Sequence, residues 1–229
     1  TVASLADPLL EQCPGILGGV CSALIEGGDI HEADLGRFVD PMIGTFPPGF
    51  VNPGPVRPHG MVGLGPDTEG PLNYGGYLVN NLLITGFSHV HMSAGVPQGG
   101  QFPVMPVVGP VTPGDLSDSG WPSPLPLYAS PFDRLTEYSR PGYYAVTLLR
   151  YGVRAELTSS ERAGLHRYSF PPLSDAQLVL HPGRDLKGAA PATLQLHEDG
   201  WITGRMSTRS PDHTLHFAAT ADRAFTLRT

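Results

Sequence analysis

The chain has 229 residues, 40% of them hydrophobic, enough for one large domain with a sizeable core or for a domain plus an arm. A formal net charge of −7, with no long run of either sign, argues against nucleic acid or an anionic membrane surface as the main partner and leaves neutral polymers such as glycans open. No apolar stretch reaches the ~18 residues of a membrane span, and the 29 glycines and 25 prolines punctuate apolar stretches rather than forming low-complexity runs, as short strands joined by tight turns require.

Residues 1–36 read as an N-terminal arm. Leu9, Leu10, Ile16, Leu17, Val20, Leu24 and Ile25 give one short amphipathic helix, broken by Gly18, Gly19, Gly27 and Gly28. The only two cysteines, Cys13 and Cys21, lie in this arm. They are either a small disulfide loop formed in an oxidising compartment or two free thiols.

Residues 37–229 read as strand and turn. From Phe46 to Pro66 glycine and proline are too dense for a helix, which predicts ordered loop with a short extended segment at Met61–Leu64. Phe102 to Val111 is apolar but interrupted by Pro103, Pro106 and Pro110, so it reads as an edge or bulged strand. Tyr143–Arg150 and Val153–Ser159 are strands flanking a tight turn at Tyr151-Gly152. In the second, Val153, Ala155 and Leu157 alternate with Arg154, Glu156 and Thr158, giving one buried and one wet face. His166, Tyr168 and Phe170 share a face of the next strand, and Gln177–Leu180 follows. Glu198-Asp199-Gly200 predicts a second hairpin between Thr193–His197 and Trp201–Met206, and Thr214–Thr220 alternates again. Many short strands at this spacing predict an all-β fold: an antiparallel β-sandwich with a loop-rich first half and a short helical N-terminal arm.

Six stretches, in order, carry a resemblance. Phe38-Val39-Asp40-Pro41-Met42-Ile43-Gly44-Thr45 opens it. Pro58-His59-Gly60-Met61-Val62 and Pro66-Asp67-Thr68 follow. Gly75-Gly76-Tyr77 precedes Thr85-Gly86-Phe87-Ser88-His89-Val90-His91-Met92-Ser93. Then come Val104-Met105-Pro106, Pro141-Gly142-Tyr143-Tyr144-Ala145-Val146, and Ala155-Glu156-Leu157-Thr158 with Glu161-Arg162 and His166-Arg167-Tyr168. Together they resemble the N-terminal part of glycoside hydrolase family 92, from about residue 38 to the end of the chain.

The resemblance implies a supersandwich-like N-terminal domain of a calcium-dependent, inverting exo-α-mannosidase. Its general acid, general base and calcium would belong to a C-terminal (α/α)₆ barrel, so no cofactor is expected in this chain. Inversion needs two carboxyl groups roughly 6.5–9.5 Å apart with room for water, and the acidic residues here are scattered over strands and loops. The barrel and the last strands of the sandwich are therefore expected outside the chain. The expected partner is that barrel, or another protein chain covering an open sheet edge, with a mannose-containing glycan beside it. A secreted or endomembrane location follows from the same resemblance. The glycan-pocket candidates are Tyr77, Asn80, Asn81, His89, His91 and Ser93. Asn80 and Asn81 stand where the family usually has an acidic pair; an amide can hydrogen-bond a sugar but cannot act as acid or base.

Other residues have plainer readings. His89 and His91, two apart, would face the same way on a strand, yet a metal site wants a third ligand that is not obviously placed. Asp40 and Asp67 suit turn caps, His59 a turn, and Glu161-Arg162 a loop anchor. Tyr143, Tyr144 and Trp201 are either a sugar platform or core. The domain reads as the non-catalytic sandwich of a mannosidase or as a relative repurposed as a structural or interaction subunit.

Overall fold

The computed structural model describes residues 35–70, 74–91, 99–111, 126–186, 188–207 and 213–228. The predicted arm helix, Cys13, Cys21 and Ser93 lie outside these residues. The chain divides into two units between Asp40 and Pro41. In the first, Leu35–Phe38 forms a single 3-10 turn. All other regular structure among the described residues is strand, as the glycine and proline punctuation requires. No described helix is long and apolar enough to cross a membrane.

The loop-rich stretch after Pro41 is held by turns, with Thr45 N–H on Met42 O at 3.2 Å and Gly60 N–H on Arg57 O at 2.9 Å. The extended segment predicted at Met61–Leu64 supplies only an isolated bridge, Val56↔Gly63. The strand starts just past that segment, four residues later than predicted, as β1 (Gly65–Thr68), where the segment leaves Pro55 and meets its first antiparallel partner, β2 (Leu83–Ser88). Two short strands follow, β3 (Val90–His91) and β4 (Gly99–Gln101), then β5 (Val104–Val108).

Strand β6 (Ser130–Arg140) opens a meander with β7 (Tyr143–Leu148), β8 (Val153–Ser159) and β9 (Gly164–Ser169). Then come β10 (Ala176–Leu180), the short pair β11 (Arg184–Asp185) and β12 (Gly188–Ala189), and a three-stranded sheet of β13 (Ala192–Leu196), β14 (Ile202–Ser207) and β15 (Thr214–Ala219).

Strand β2 is the fork of the eight-stranded sheet. Ile84 pairs with both Thr68 and Ser130, and Phe87 with both Pro66 and Val104. A residue has one partner per side, so β1 runs along one edge of β2 while β6 and β5 share the other, one at each end. From there β5 and β10 lead off one way and β6 to β9 the other. The two branches enclose one core: Met105, Val107 and Val179 with Ile84, Phe87, Phe132, Tyr144, Val146, Leu148, Ala155 and Leu157. Burial of such side chains, at ~25 cal/mol per Å², is the main force holding the layers together.

The edge-strand expectation for β5 is met in part. It pairs with β10 over its full length and with β2 at Val104 alone. Gly109 N–H donates to Asp175 O and His181 N–H to Pro103 O. That alternation puts Pro106 in a non-hydrogen-bonded pair with Leu178, so its missing N–H points away from β10, past the end of the β2 contact.

In β8, Val153, Ala155 and Leu157 are buried, and the residues between them are half-exposed, as predicted. The turn before it differs from expectation. Leu148 pairs with Val153, so β7 ends two residues early and the loop is Leu149–Gly152, with Gly152 at φ 63°. The second predicted hairpin closes as expected around Gly200 (φ 82°), with His197 N–H on Trp201 O at 2.8 Å.

Candidate functional site

Most of the candidate residues lie on the connection from β1 to β2 and on the segment that leaves β2. Gly75 and Gly76 thread the first of these through a gap that admits no side chain. A Cβ on Gly75 would stand 1.9 Å from Phe50 O. One on Gly76, itself at φ 86°, would stand 2.6 Å from His91 Nε2 and 2.9 Å from Asp67 Oδ1. Thr68 fastens the turn, its N–H donating to Gly76 O at 2.7 Å and its Oγ1 accepting from Leu78 N–H at 3.0 Å. Asn52 Nδ2 donates to Gly75 O and Pro66 O.

This thread drives Tyr77 fully into the core. Its hydroxyl donates to Glu137 Oε1 at 2.7 Å and accepts from Arg134 Nη1 at 2.5 Å. Tyr144 donates to the same carboxylate oxygen at 2.7 Å, and Arg134 Nη1 reaches Glu137 Oε2 at 2.7 Å. Burial first, then the Glu137 charge, pushes both phenols up, so they remain donors. Arg134 Nη2 also donates to the carbonyls of Asn81, at 2.6 Å, and Val79. Sequence reading passed over Arg134 and Glu137. Both sit in the irregular stretch of β6 between Asp133 and Tyr138, where the register shifts, so strict alternation could not show that they meet. The available signal was an Arg and a Glu three apart in a run of half-apolar strand.

Asn81 and Asn80 part company. Asn81 Nδ2 donates to Thr68 Oγ1 at 3.0 Å and to Glu69 O, so its amide braces the turn. Asn80 is exposed. Leu82 and Leu135, 72% and 97% exposed, are also open to solvent here.

His89 and His91 also diverge, against the same-face expectation. Strand β2 stops at Ser88, and the register shifts between Val90 and His91; a bulge of this kind resets the alternation. His91 Nδ1 lies 2.7 Å from Gly63 O, and its Nε2 3.0 Å from Asp67 Oδ1 and from Ser88 Oγ. His89 Nδ1 lies 2.8 Å from Phe102 O, and its Nε2 3.0 Å from His166 Nε2. Each ring ties a loop to the sheet.

Asp67 is not the predicted turn cap. It lies in β1, 3% exposed, accepts from Ser88 Oγ at 3.1 Å and faces His91. His59 takes the predicted turn role at φ 63°. Glu161 anchors a loop through its carbonyl, which accepts from Met61 and Val62 N–H. Tyr144 is core, Tyr143 donates to Glu156 at 2.5 Å, and Trp201 is exposed beside Gly200.

The carboxylates of this region are engaged. Asp67 serves Ser88 and His91, Glu69 caps Leu82 and Leu83 N–H, Glu137 serves two tyrosines and an arginine, and Glu156 holds Arg167. Hydrogen bonds from Arg167 and then Tyr143 lower Glu156 to about 2. Among the described residues no group of three or more His, Cys, Asp or Glu gathers. What the arrangement does is fix the course of the 74–82 segment. A shallow cavity of ≈ 440 Å³ lies elsewhere, over Thr193, Gln195, Thr203, Arg205 and His216 of β13–β15.

Residues 38–228 match the Glycosyl hydrolase family 92 N-terminal domain. The chain is 35% identical over 149 residues to an "Uncharacterized secreted glycosidase" of Arthroderma benhamiae, covering 62% of this chain and 18% of that protein. It is similar to a family 92 alpha-mannosidase from Bacteroides thetaiotaomicron solved in complex with mannoimidazole, at 31% identity and a TM-score of 0.74 over 82% of this chain and 25% of that one. A second family 92 glycosyl hydrolase structure gives 25% identity and a TM-score of 0.62, over 81% of this chain and 26% of that one. The chain therefore spans about a quarter or less of the length of these relatives. A match over this span, on a fold and motifs that agree with it, makes the chain a member of glycosyl hydrolase family 92, as its N-terminal domain.

Proposed function

We propose that this domain is the non-catalytic sandwich of a secreted, inverting α-mannosidase. It supports an (α/α)₆ catalytic barrel and forms one wall of a pocket for mannose-containing glycans. The observation that carries the reading is the 31% identity, over 82% of this chain, to an alpha-mannosidase solved with mannoimidazole. The engagement of its carboxylates fits a supporting role: the acid–base pair of an inverting hydrolase, and its calcium, belong on the barrel. In that pocket Asn80 is the candidate best placed to meet a hydroxyl, because it is exposed where Asn81 is spent on the turn. Tyr77, His89 and His91 shape the wall from behind, and Ser93 remains a candidate on sequence alone.

The test is a joined protein carrying this domain and its barrel. Asn80→Ala is expected to raise KM for an α-mannoside several-fold with kcat little changed, the pattern of lost uniform binding. An unchanged KM removes Asn80 from the pocket. A second reading, a family 92 domain repurposed as an interaction subunit, is favoured by the neutral Asn80-Asn81 pair and the exposed Leu82 and Leu135. Failure of the domain to bind any family 92 barrel, with stable capture by a different partner, would favour it.

A further inference from the structure

Outside the Tyr77 cluster, two histidines from distant parts of the chain meet ring to ring. His89 Nε2 and His166 Nε2 are 3.0 Å apart, with ring centroids at 4.8 Å and planes at 41°. The partners on either side settle the tautomers. His89 Nδ1 faces the carbonyl of Phe102, which can only accept, so Nδ1 carries the hydrogen. Neutral His89 then offers a lone pair at Nε2, and His166 must donate to it from its own Nε2. That leaves His166 Nδ1 to accept from the Tyr168 hydroxyl at 2.7 Å. One directed chain results: Tyr168 to His166, His166 to His89, His89 to Phe102. Each ring nitrogen is used once, and both imidazoles are neutral.

The chain of bonds joins separate elements. His166 and Tyr168 sit on β9, which among the described residues has a ladder partner on one side only, β8. His89 sits between β2 and β3, and Phe102 follows β4. A Cβ on Gly164, where β9 begins, would stand 3.0 Å from His89 Cδ2 and 3.2 Å from Leu64 Cδ2. The His89 ring is thus pressed onto the start of β9.

An added proton has no good place. On His89 Nε2 it would set two N–H groups head to head across 3.0 Å unless His166 moved its own hydrogen to Nδ1, against the Tyr168 hydroxyl. On His166 Nδ1 it would force the Tyr168 hydroxyl to turn and give up its acceptor. The other charged or titratable groups acting on the pair are His91, on β3, and Asp67, on β1. Asp67 already accepts from Ser88 and faces His91; its charge favours protonation of His89, but less than burial opposes it. Exclusion of water holds both rings below the ordinary value of 6.5, more strongly for His166, where His89 adds to the effect.

We propose that the Tyr168–His166–His89–Phe102 chain is an acid-sensitive clasp: with both rings neutral it holds edge strand β9 against the segments around His89 and Phe102, and protonation releases β9. The sign follows from the lowered folded-state values. Closure is complete above 6.5 and is lost as the pH falls below it.

Amide hydrogen exchange on the full chain tests this, read as protection factors for β9 and, as reference, β7. Two rings that take up protons only on opening should cost β9 up to about a hundredfold in protection per pH unit as the pH falls below 6.5, with β7 unchanged. His166→Gln keeps an N–H donor for His89 and an acceptor for Tyr168 but cannot take a proton, so its loss should be about tenfold. Constant β9 protection, or equal loss in both proteins, overturns the clasp. Should the variant lose β9 already at neutral pH, ring nitrogen shifts of the unsubstituted chain decide. They should show His89 as the Nδ1–H and His166 as the Nε2–H form, both titrating together with the loss of β9 protection. The opposite tautomers, or titration without that loss, would overturn the proposal.

Discussion

At the scale of single residues, the domain turns on one carboxylate. Glu137 receives hydrogen bonds from Tyr77, Tyr144 and Arg134. Glu137→Gln removes the charge and, with its carbonyl oxygen kept on the two phenols, sets an NH2 donor against the Arg134 Nη1 donor in place of Oε2. The expected loss is about 2–4 kcal/mol in urea unfolding, against about 1–2 kcal/mol for Tyr77→Phe, which leaves the Tyr144 bond intact. The glycines separate two kinds of constraint. Gly142 (φ 77°) has open space around it, so Gly142→Ala should cost about 1 kcal/mol from backbone conformation alone. Gly76→Ala adds collisions with His91 and Asp67 and should cost well over twice that, measured in the same unfolding series. The sequence displayed Gly75-Gly76-Tyr77 as a motif but not its reason. That reason lies in Phe50, Asp67 and His91, which come from three other places along the chain.

At the scale of elements, what the sequence made legible was alternation. β8, β9 and β15 keep a strict period of two, so their faces could be read directly. β6 and the β2–β3 junction break that period with register shifts, and it is there that Arg134, Glu137, His89 and His91 find partners that spacing could not foretell. On the wet face of β8 and β9, Glu156 pairs with Arg167 across the ladder at 2.5 Å. Its folded-state value of about 2 lies below the ordinary 4.5. The pair therefore contributes above 4.5, and the contribution is lost as the pH falls towards 2. Glu156→Gln should flatten the stability profile in that acid range. The change should be modest, below about 1 kcal/mol at neutral pH, because Arg167 is largely in water. A steep acid dependence surviving in the variant would assign that range to other carboxylates.

At the scale of the whole molecule, the six motifs resolve into two roles. Some build the forked sheet: Pro66-Asp67-Thr68 and Thr85 to Ser88 pair at the fork, and Tyr143 to Val146 carry the core beneath it. Others, Gly75-Gly76-Tyr77 with His89 and His91, fix the loops above it. The fork itself was not legible, because β5 and β6 reach the same edge of β2 from segments that local pattern treats as unrelated. The family was legible because its motifs mark the points where the chain must pass close to itself. The central claim, that this sandwich completes a mannosidase rather than acting alone, is tested most directly by mannose release from an α-mannoside by a family 92 barrel with and without this chain. The account predicts little release from either part alone and at least about a tenfold gain on mixing, the gain expected when a pocket wall positions substrate. Equal release with and without this chain would contradict it.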